Sequence, residues 1–172
     1  MKNKPKKYIN VGIASAMAIG SVVAVAPLTT EASVKFPDIK ETDHYYNAVI
    51  SLAERGIIKG YEDGTFKPGH SVTRGQAAKI IAGVLKLDTT NVVNPGFKDV
   101  PTTHEYYGAI AALANAGIIN GYPDGTFGPG KSVKRNHMAK IIAGAFDIEA
   151  PVGSTTPFKD LNAEYSGYIT AL

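Results

Sequence analysis

Apolar residues recur at helical spacing in four separate segments of the chain, with polar residues between them. One pattern is formed by Tyr45, Val49, Leu52 and Ala53 and again by Tyr106, Ile110, Leu113 and Ala114. Another is formed by Ala77, Ile80, Ile81, Val84 and Leu85 and again by Met138, Ile141, Ile142, Ala145 and Phe146. A spacing of three and four residues is typical of amphipathic helices. The pattern therefore predicts a mainly α protein built from tandem helix–turn–helix units.

A glycine-rich turn separates the two helices of each unit. The chain reads GYEDGTFKPG over residues 60–69 and GYPDGTFGPG over residues 121–130. Asp-Gly favours a tight turn, because glycine accepts a positive φ and aspartate bonds its own backbone. A calcium loop would need several oxygen ligands at alternate positions, and each turn offers one or two carboxylates. We predict a structural turn with no metal site, preceded by Gly56 and Gly117 in the left-handed position that ends a helix.

The two units are copies of one repeat. Residues 36–96 align with residues 97–157 without a gap and are identical at 28 of 61 positions. A third copy follows directly, and its Tyr168 has the phase of Tyr46 and Tyr107. We predict a first repeat over residues 33–94, a second over residues 95–156 and the start of a truncated third over residues 157–172. About three repeats are usually needed to bury the apolar faces, so we expect a fragment or a chain whose remainder is missing.

The first 32 residues have the composition of a secretory signal peptide. Four lysines precede residue 8, an uncharged apolar run spans residues 11–26, and small residues stand before Ser33. The alternative is a membrane anchor, for which the run is short. Four of the 18 basic and one of the 15 acidic residues lie in this segment, which leaves 14 of each. The predicted mature chain is formally neutral, which argues against nucleic-acid binding, and we expect no membrane attachment after signal removal.

The second helix of the first unit begins with a capping signal. Thr73 is a favourable N-cap, and Gln76 three residues later completes a capping box. Arg74 then lies in the first turn, where the helix dipole disfavours a cation, and Arg135 occupies the same position in the second unit. One interpretation is an anion pocket formed by the guanidinium and the free helix amides. The other is a solvated arginine that pairs with a nearby carboxylate.

These motifs together resemble the S-layer homology (SLH) module. The resemblance rests on Phe-x-Asp, the Gly-Ile-Ile-x-Gly-Tyr-x-Asp-Gly-Thr-Phe-x-Pro-Gly stretch and Thr-Arg-x-Gln, and it covers residues 36–172. It implies a pseudo-threefold, mainly helical domain that binds secondary cell-wall polysaccharide, commonly through a pyruvate ketal on an amino sugar. The family's Thr-Arg-Ala-Glu-type motif would then map binding residues onto Thr73, Arg74, Gln76, Lys134 and Arg135. Lys134 departs from the motif, as do Asn136 and His137, so the second site is the more divergent one.

The same resemblance suggests where a sugar would pack. Aromatic candidates that would face it are Tyr46, Tyr61, Tyr107 and Tyr122, although core packing is the simpler expectation for most of them. We expect Arg74→Ala to weaken wall binding without unfolding the domain.

Non-covalent anchoring of an exported surface protein to a Gram-positive cell wall is the function that this resemblance implies. The partner would be polysaccharide linked to peptidoglycan, with other copies in an S-layer lattice as further partners. An alternative is the anchoring module of a wall-bound hydrolase whose catalytic domain is missing from this chain. No catalytic motif occurs in the sequence, and the four histidines show no ligand spacing. We therefore expect no enzymatic activity and no cofactor.

Overall fold

The computed structural model describes residues 34–150 and 152–172. These residues form five helices, namely α1 Tyr46–Glu54, α2 Arg74–Val84, α3 Tyr107–Asn115, α4 Arg135–Phe146 and α5 Ala163–Thr170. Extended pairing within the same ranges is limited to one isolated antiparallel bridge between Thr73 and Ser132. The prediction of a mainly α protein built from tandem repeats is confirmed. The predicted signal peptide, residues 1–32, lies outside the described residues.

The helix ends follow the local sequence. Thr73 caps α2, since its Oγ1 accepts from the peptide N–H of Gln76 at 3.2 Å and Gln76 Oε1 accepts from the N–H of Thr73 at 2.9 Å. Gly56 and Gly117 follow α1 and α3 with φ of 68° and 72°. The predicted capping box and the predicted left-handed glycines at the helix ends are therefore both present. No helix in the described part of the chain has the length and apolar character needed to cross a membrane.

Each glycine-rich turn is closed by the Phe-x-Asp motif that opens its repeat. Asp38 accepts from the peptide N–H groups of Phe66 and Lys67 at 2.9 and 2.7 Å. Asp99 accepts in the same way from Phe127 and Gly128, at 2.7 Å each. The phenylalanines of the motif and the turn also pack against each other, with ring centroids 5.6 Å apart in the first repeat and 5.4 Å in the second. The motif therefore ties the start of a repeat to its turn.

The helices pack mainly across repeat boundaries. Within the described residues, extensive helix–helix contact occurs between α2 and α3 and between α4 and α5. The larger core joins α2, α3 and the second turn, and Ile110, Leu113 and Phe127 are its largest fully buried side chains. A smaller core around Phe36 and Val49 lies within the first repeat. Burial between neighbouring repeats is what the repeat pattern predicts.

The third copy departs from the phase that the sequence alignment predicts. Lys79 on α2 pairs with Glu105 before α3, and Lys140 on α4 pairs with Glu164 on α5, both at 3.0 Å. The lysines are 61 positions apart, but the glutamates are 59 apart. The third copy is therefore two residues shorter between its Phe-x-Asp motif and its helix. Tyr165 is then the counterpart of Tyr106, and Ser166, not Tyr168, is the counterpart of Tyr107. The prediction that Tyr168 occupies the repeat position of Tyr46 and Tyr107 is therefore wrong, because an ungapped alignment cannot show this deletion.

Candidate functional site

Arg74 is buried, with a relative exposure of 8%. Its Nε donates to the carbonyl of Phe127 at 2.7 Å, and its Nη2 donates to the carbonyl of Asn120 at 3.3 Å. The guanidinium carbon lies 4.4 Å from the ring centroid of Phe127 and 4.9 Å from that of Tyr122. A buried cation needs such partners to offset its desolvation. Arg74 thus joins the start of α2 to the turn of the next repeat.

The first amides of α2 are engaged by the same turn. The peptide N–H of Arg74 donates to the carbonyl of Lys131, and that of Gly75 to the carbonyl of Pro129, both at 2.9 Å. The predicted anion pocket relied on free amides at this helix end, and the alternative relied on a solvated arginine paired with a carboxylate. The structure matches neither geometry, because backbone carbonyls of the second repeat accept from both the amides and the guanidinium. Participation of Thr73 and Arg74 in polysaccharide binding stays a prediction.

A groove of about 890 Å³ lies where the first repeat meets the second. We call it the first groove, and the lining side chains that matter for its chemistry are Tyr61, His70, Gln76, Lys79, Glu105 and Tyr106. The ring of Tyr61 meets that of His70 edge-on at 6.1 Å. Lys79 Nζ lies 5.7 Å from the centroid of Tyr106. The groove thus combines aromatic surfaces with polar groups, as ligand sites commonly do.

Two ion pairs line the first groove, which also contains the charged side chains of Lys59 and Glu62. Lys79 lies 3.0 Å from Glu105, and Lys67 lies 2.8 Å from Asp63. The hydrogen bond from Lys79 lowers the pKa of the Glu105 carboxyl, and the hydrogen bond from Lys67 lowers that of Asp63. More than half of each side chain in the Lys79–Glu105 pair is exposed, so this pair contributes little to stability. Lys79 can therefore exchange Glu105 for a ligand carboxylate at small cost.

The second repeat places its predicted site residues differently. Lys134 is the N-cap of α4 without a side-chain capping bond. Arg135 is exposed, and its side chain forms no hydrogen bond or ion pair with the residues that the structure describes. His137 stacks on Tyr165 with centroids 5.4 Å apart, and burial, then the charges of Arg74 and Lys134, lower its pKa. Arg135 is thus the free counterpart of buried Arg74.

The four candidate tyrosines divide into three groups. Tyr46 and Tyr107 are half-buried against the smaller and the larger core, respectively. Tyr122 packs under Arg74, and Lys131 Nζ lies 4.6 Å from its centroid. Tyr61 lines the first groove and is 39% exposed. Tyr61 and Gln76 are therefore the predicted residues that reach this groove.

Sequence reasoning missed Lys79, His70 and Tyr106 as groove residues. Lys79 and Lys140 occupy the same repeat position, which is the one sequence signal that could have indicated a shared role. Nothing in the sequence indicates that Tyr106 belongs to a groove of the preceding repeat, because this follows from packing between repeats. Asp38 and Asp99 were recognised as parts of a motif, but their bonds to residues 28 and 29 positions later require the structure.

Comparison with known proteins identifies the fold family. The family model described as "S-layer homology domain" matches residues 35–78 and 96–139, together just over half of the chain. The chain is 33% identical over 160 residues to the Surface-layer 125 kDa protein of Lysinibacillus sphaericus, covering 92% of this chain and 13% of that protein. It is 31% identical over 140 residues to the Cellulosome-anchoring protein of Acetivibrio thermocellus, covering 79% and 31%.

A third relative is an uncharacterized cell wall amidase of Bacillus anthracis, which is 30% identical over 160 residues, covering 90% of this chain and 29% of the amidase. The chain spans less than a third of the length of each of these three relatives. Two matches to the family model and the tandem helical repeats support the same conclusion. The chain belongs to the S-layer homology domain family.

Proposed function

We propose that this chain attaches an exported protein to the bacterial cell wall by binding secondary cell-wall polysaccharide, and that the first groove is a binding site. The observation that carries the proposal is the groove itself, in which aromatic rings and polar side chains of two repeats face one space. The surface-layer protein, the cellulosome-anchoring protein and the amidase are named for different roles, but each contains a segment similar to most of this chain. A shared segment among such proteins supports an attachment role for the segment.

The groove offers two kinds of contact to a sugar. The rings of Tyr61 and Tyr106 can pack against the C–H faces of a pyranose, as aromatic side chains do at binding surfaces. Lys79 can bind a carboxylate, such as that of a pyruvate ketal, because its partner Glu105 is exposed and easily replaced. The free amide N–H₂ of Gln76 can donate to a ring substituent, since Oε1 already accepts from Thr73.

We propose that Arg74 contributes to the first groove by positioning residues that line it. It does not line the first groove, but it fixes the second repeat against the first, and Tyr106 and Glu105 belong to the second repeat. We therefore assign Arg74 a positioning role. Several grooves on one polymer, or many copies on one wall, would raise the overall affinity above that of a single groove.

Co-sedimentation with purified cell walls tests the proposal. The chain is expected to bind untreated walls and not walls stripped of secondary polysaccharide by acid. Lys79→Ala should weaken binding roughly tenfold, the effect of one lost charge-assisted hydrogen bond, whereas Lys40→Ala, an exposed lysine outside the groove, should not. A pyruvylated amino sugar should compete better than the same sugar without the ketal. Equal binding to stripped and untreated walls would refute the secondary polysaccharide as the ligand. Equal effects of Lys79→Ala and Lys40→Ala on binding would refute the first groove as the binding site.

The amidase relative favours one variant of this function, in which the segment attaches a wall hydrolase. The described residues would serve the same attachment role in that case. Incubation of the chain with purified peptidoglycan is expected to release no soluble fragments. Release of fragments would show that these 172 residues themselves carry hydrolase activity.

A further inference from the structure

The glycine-rich turns of the two repeats each place a lysine over their tyrosine, but from different sequence positions. Lys67 Nζ lies 4.3 Å from the ring centroid of Tyr61, and Lys131 Nζ lies 4.6 Å from that of Tyr122. Lys67 occupies the repeat position of Gly128, whereas Lys131 stands three residues later in its own turn. Both turns therefore present an aromatic ring with an ammonium group, and different residues supply that group.

The glycine at position 128 makes the arrangement in the second turn possible. Gly128 has a φ of 71°, and Lys67 has a similar φ of 57° in the first turn. A Cβ at Gly128 would lie 2.9 Å from Cδ of Lys131 and 3.2 Å from Cε2 of Tyr122. A side chain at this position and the observed place of Lys131 therefore exclude each other.

The two ammonium groups differ in whether a carboxylate of their own turn neutralises them. Lys67 forms an ion pair of 2.8 Å with Asp63, which stands four residues earlier. In the second turn the residue four positions after Asp124 is Gly128, so the equivalent ion pair cannot form. The side chain of Lys131 forms no ion pair or hydrogen bond within the part of the chain that the structure describes. Its ammonium is therefore available to an anion.

The net charge around the two turns also differs. The first turn and its Phe-x-Asp motif, residues 36–38 and 59–70, contain two lysines and three carboxylates, which gives a formal charge of −1 with histidine neutral. The equivalent residues 97–99 and 120–131 contain two lysines and two carboxylates. The guanidinium of Arg74, 4.9 Å from the tyrosine ring of this second turn, brings its formal charge to +1. An anion is therefore attracted to the second turn and repelled by the first.

We propose that Tyr122 and Lys131 form a second contact with the wall polysaccharide, one that selects a sugar carrying an anionic group. This proposal rests on the proposed function, because it concerns the same polymer. Lys131 is exposed and Tyr122 is half-buried, and all residues involved belong to the first two repeats. The ring offers an apolar surface to the C–H face of the sugar, and the ammonium donates to the anion. Lys131 sets the preference, because the first turn has an equivalent ring but no unpaired ammonium over it.

Backbone amide chemical shifts test this proposal and the first groove separately. The ¹⁵N-labelled chain, with its fold checked by circular dichroism, is titrated with an N-acetylhexosamine glycoside that carries a pyruvate ketal, with its phosphate ester and with the unsubstituted glycoside. Amides of residues 121–131 are expected to shift with the two anionic sugars at concentrations where the unsubstituted sugar has no effect. The anionic sugar that binds more tightly identifies the anion as a carboxylate or a phosphate ester.

The location of the shifts distinguishes the two proposals. Shifts confined to the amides of the first groove would overturn this proposal and leave the proposed function standing. Shifts confined to residues 121–131 would support it and refute the first groove. Equal shifts of residues 121–131 with charged and uncharged sugars, or no shift with any of the three, would overturn it.

Three substitutions test the role of Lys131. Lys131→Ala should weaken binding of the anionic sugars at the second turn roughly tenfold, the loss of one charge-assisted hydrogen bond. Lys67→Ala, which removes the lysine over the other tyrosine, is the matched control and should leave this binding unchanged. Gly128→Lys adds a positive charge, but its side chain displaces Lys131 and stands four residues after Asp124, as in the neutralised first turn. It should therefore weaken anion binding as Lys131→Ala does.

Gly128→Lys separates a specific site from general charge attraction. General attraction would make this variant bind the anionic sugars more tightly than the unsubstituted chain, and that result would overturn the proposal. Unchanged anion binding in folded Lys131→Ala would also overturn it. The φ of 57° at Lys67 shows that a lysine is tolerated at this turn position.

Discussion

At the scale of single residues, two arginines at the same repeat position have opposite environments. Arg74 is buried with carbonyl partners, and Arg135 is exposed. Arg74→Ala leaves two carbonyls without their donors, so the free energy of unfolding is expected to fall by roughly 1.5–3 kcal/mol, the range for hydrogen bonds to charged groups. Arg74→Lys should recover part of this loss, because an ammonium keeps the charge but lacks the planar fork. Urea denaturation followed by circular dichroism measures both.

Arg135→Ala is the matched control for this prediction. Its effect is expected to stay within about 0.5 kcal/mol, as for ordinary surface substitutions. Equal decreases in the free energy of unfolding for Arg74→Ala and Arg135→Ala would contradict the difference between the buried and the exposed arginine. The expectation from sequence that Arg74→Ala weakens wall binding without unfolding changes accordingly, since its burial links binding to stability.

Asp99 provides a pH-dependent contribution at the same scale. Burial raises the pKa of its carboxyl, but the peptide N–H groups of Phe127 and Gly128 outweigh this effect and hold the pKa below its ordinary value of 3.8. A carboxyl whose folded pKa is lowered stabilises the fold above its unfolded pKa, and this stabilisation is lost as the pH falls through the folded pKa. Urea midpoints should therefore decrease on acidification below about pH 4, and Asp99→Asn should reduce this dependence.

Asp160→Asn is the control for this prediction. Asp160 occupies the same Phe-x-Asp position in the third copy but has no hydrogen-bonded turn among the described residues. Its substitution should leave both the midpoint at neutral pH and the acid dependence unchanged. An identical acid profile for Asp99→Asn and the unsubstituted chain would show that the turn is not the source of the effect.

At the scale of the elements, the close approach of α2 and α3 depends on a glycine. A Cβ at Gly75 would overlap the ring of Tyr106, whereas a Cβ at Gly167 in α5 would meet no atom within 4 Å. Gly75→Ala should therefore destabilise the fold by about 1–3 kcal/mol, the cost of overpacking, and should also weaken wall binding by moving Tyr106. Gly167→Ala should stabilise slightly, because alanine favours a helix interior. Thermal unfolding and wall co-sedimentation of both variants check this prediction, and a stabilised Gly75→Ala would contradict it.

Sequence patterns predicted the elements better than the contacts between them. The helix spacing, the Thr73–Gln76 capping box and the positive φ of Gly56 and Gly117 all depend on residues within a few positions of one another, and all are present. The environment of Arg74 depends on carbonyls 46 and 53 positions later, and a backbone carbonyl leaves no signature in sequence. The first groove likewise depends on how two repeats meet, so Tyr61 and Gln76 were predicted and Tyr106 was not.

At the scale of the whole molecule, the interlocked repeats are expected to unfold together. Residues 34–150 and 152–172 belong to one compact unit. The larger core combines side chains of both full repeats, and Arg74 and the Thr73–Ser132 bridge connect them directly. Because the larger core needs both repeats, unfolding of either repeat exposes it, and the two repeats are expected to behave as one cooperative unit.

Local probes can test this expectation. Hydrogen exchange at the α1 amides of the first repeat and at the α3 amides of the second should give urea midpoints that coincide. Asp99→Asn, a change in the second repeat only, should lower both midpoints equally, since the first repeat depends on the turn that Asp99 holds. Arg74→Ala should instead separate them, because it cuts the connection while leaving the smaller core around Phe36 and Val49 intact. Separate midpoints in the unsubstituted chain would mean that each repeat is stable by itself and that Arg74 serves a purpose other than joining them.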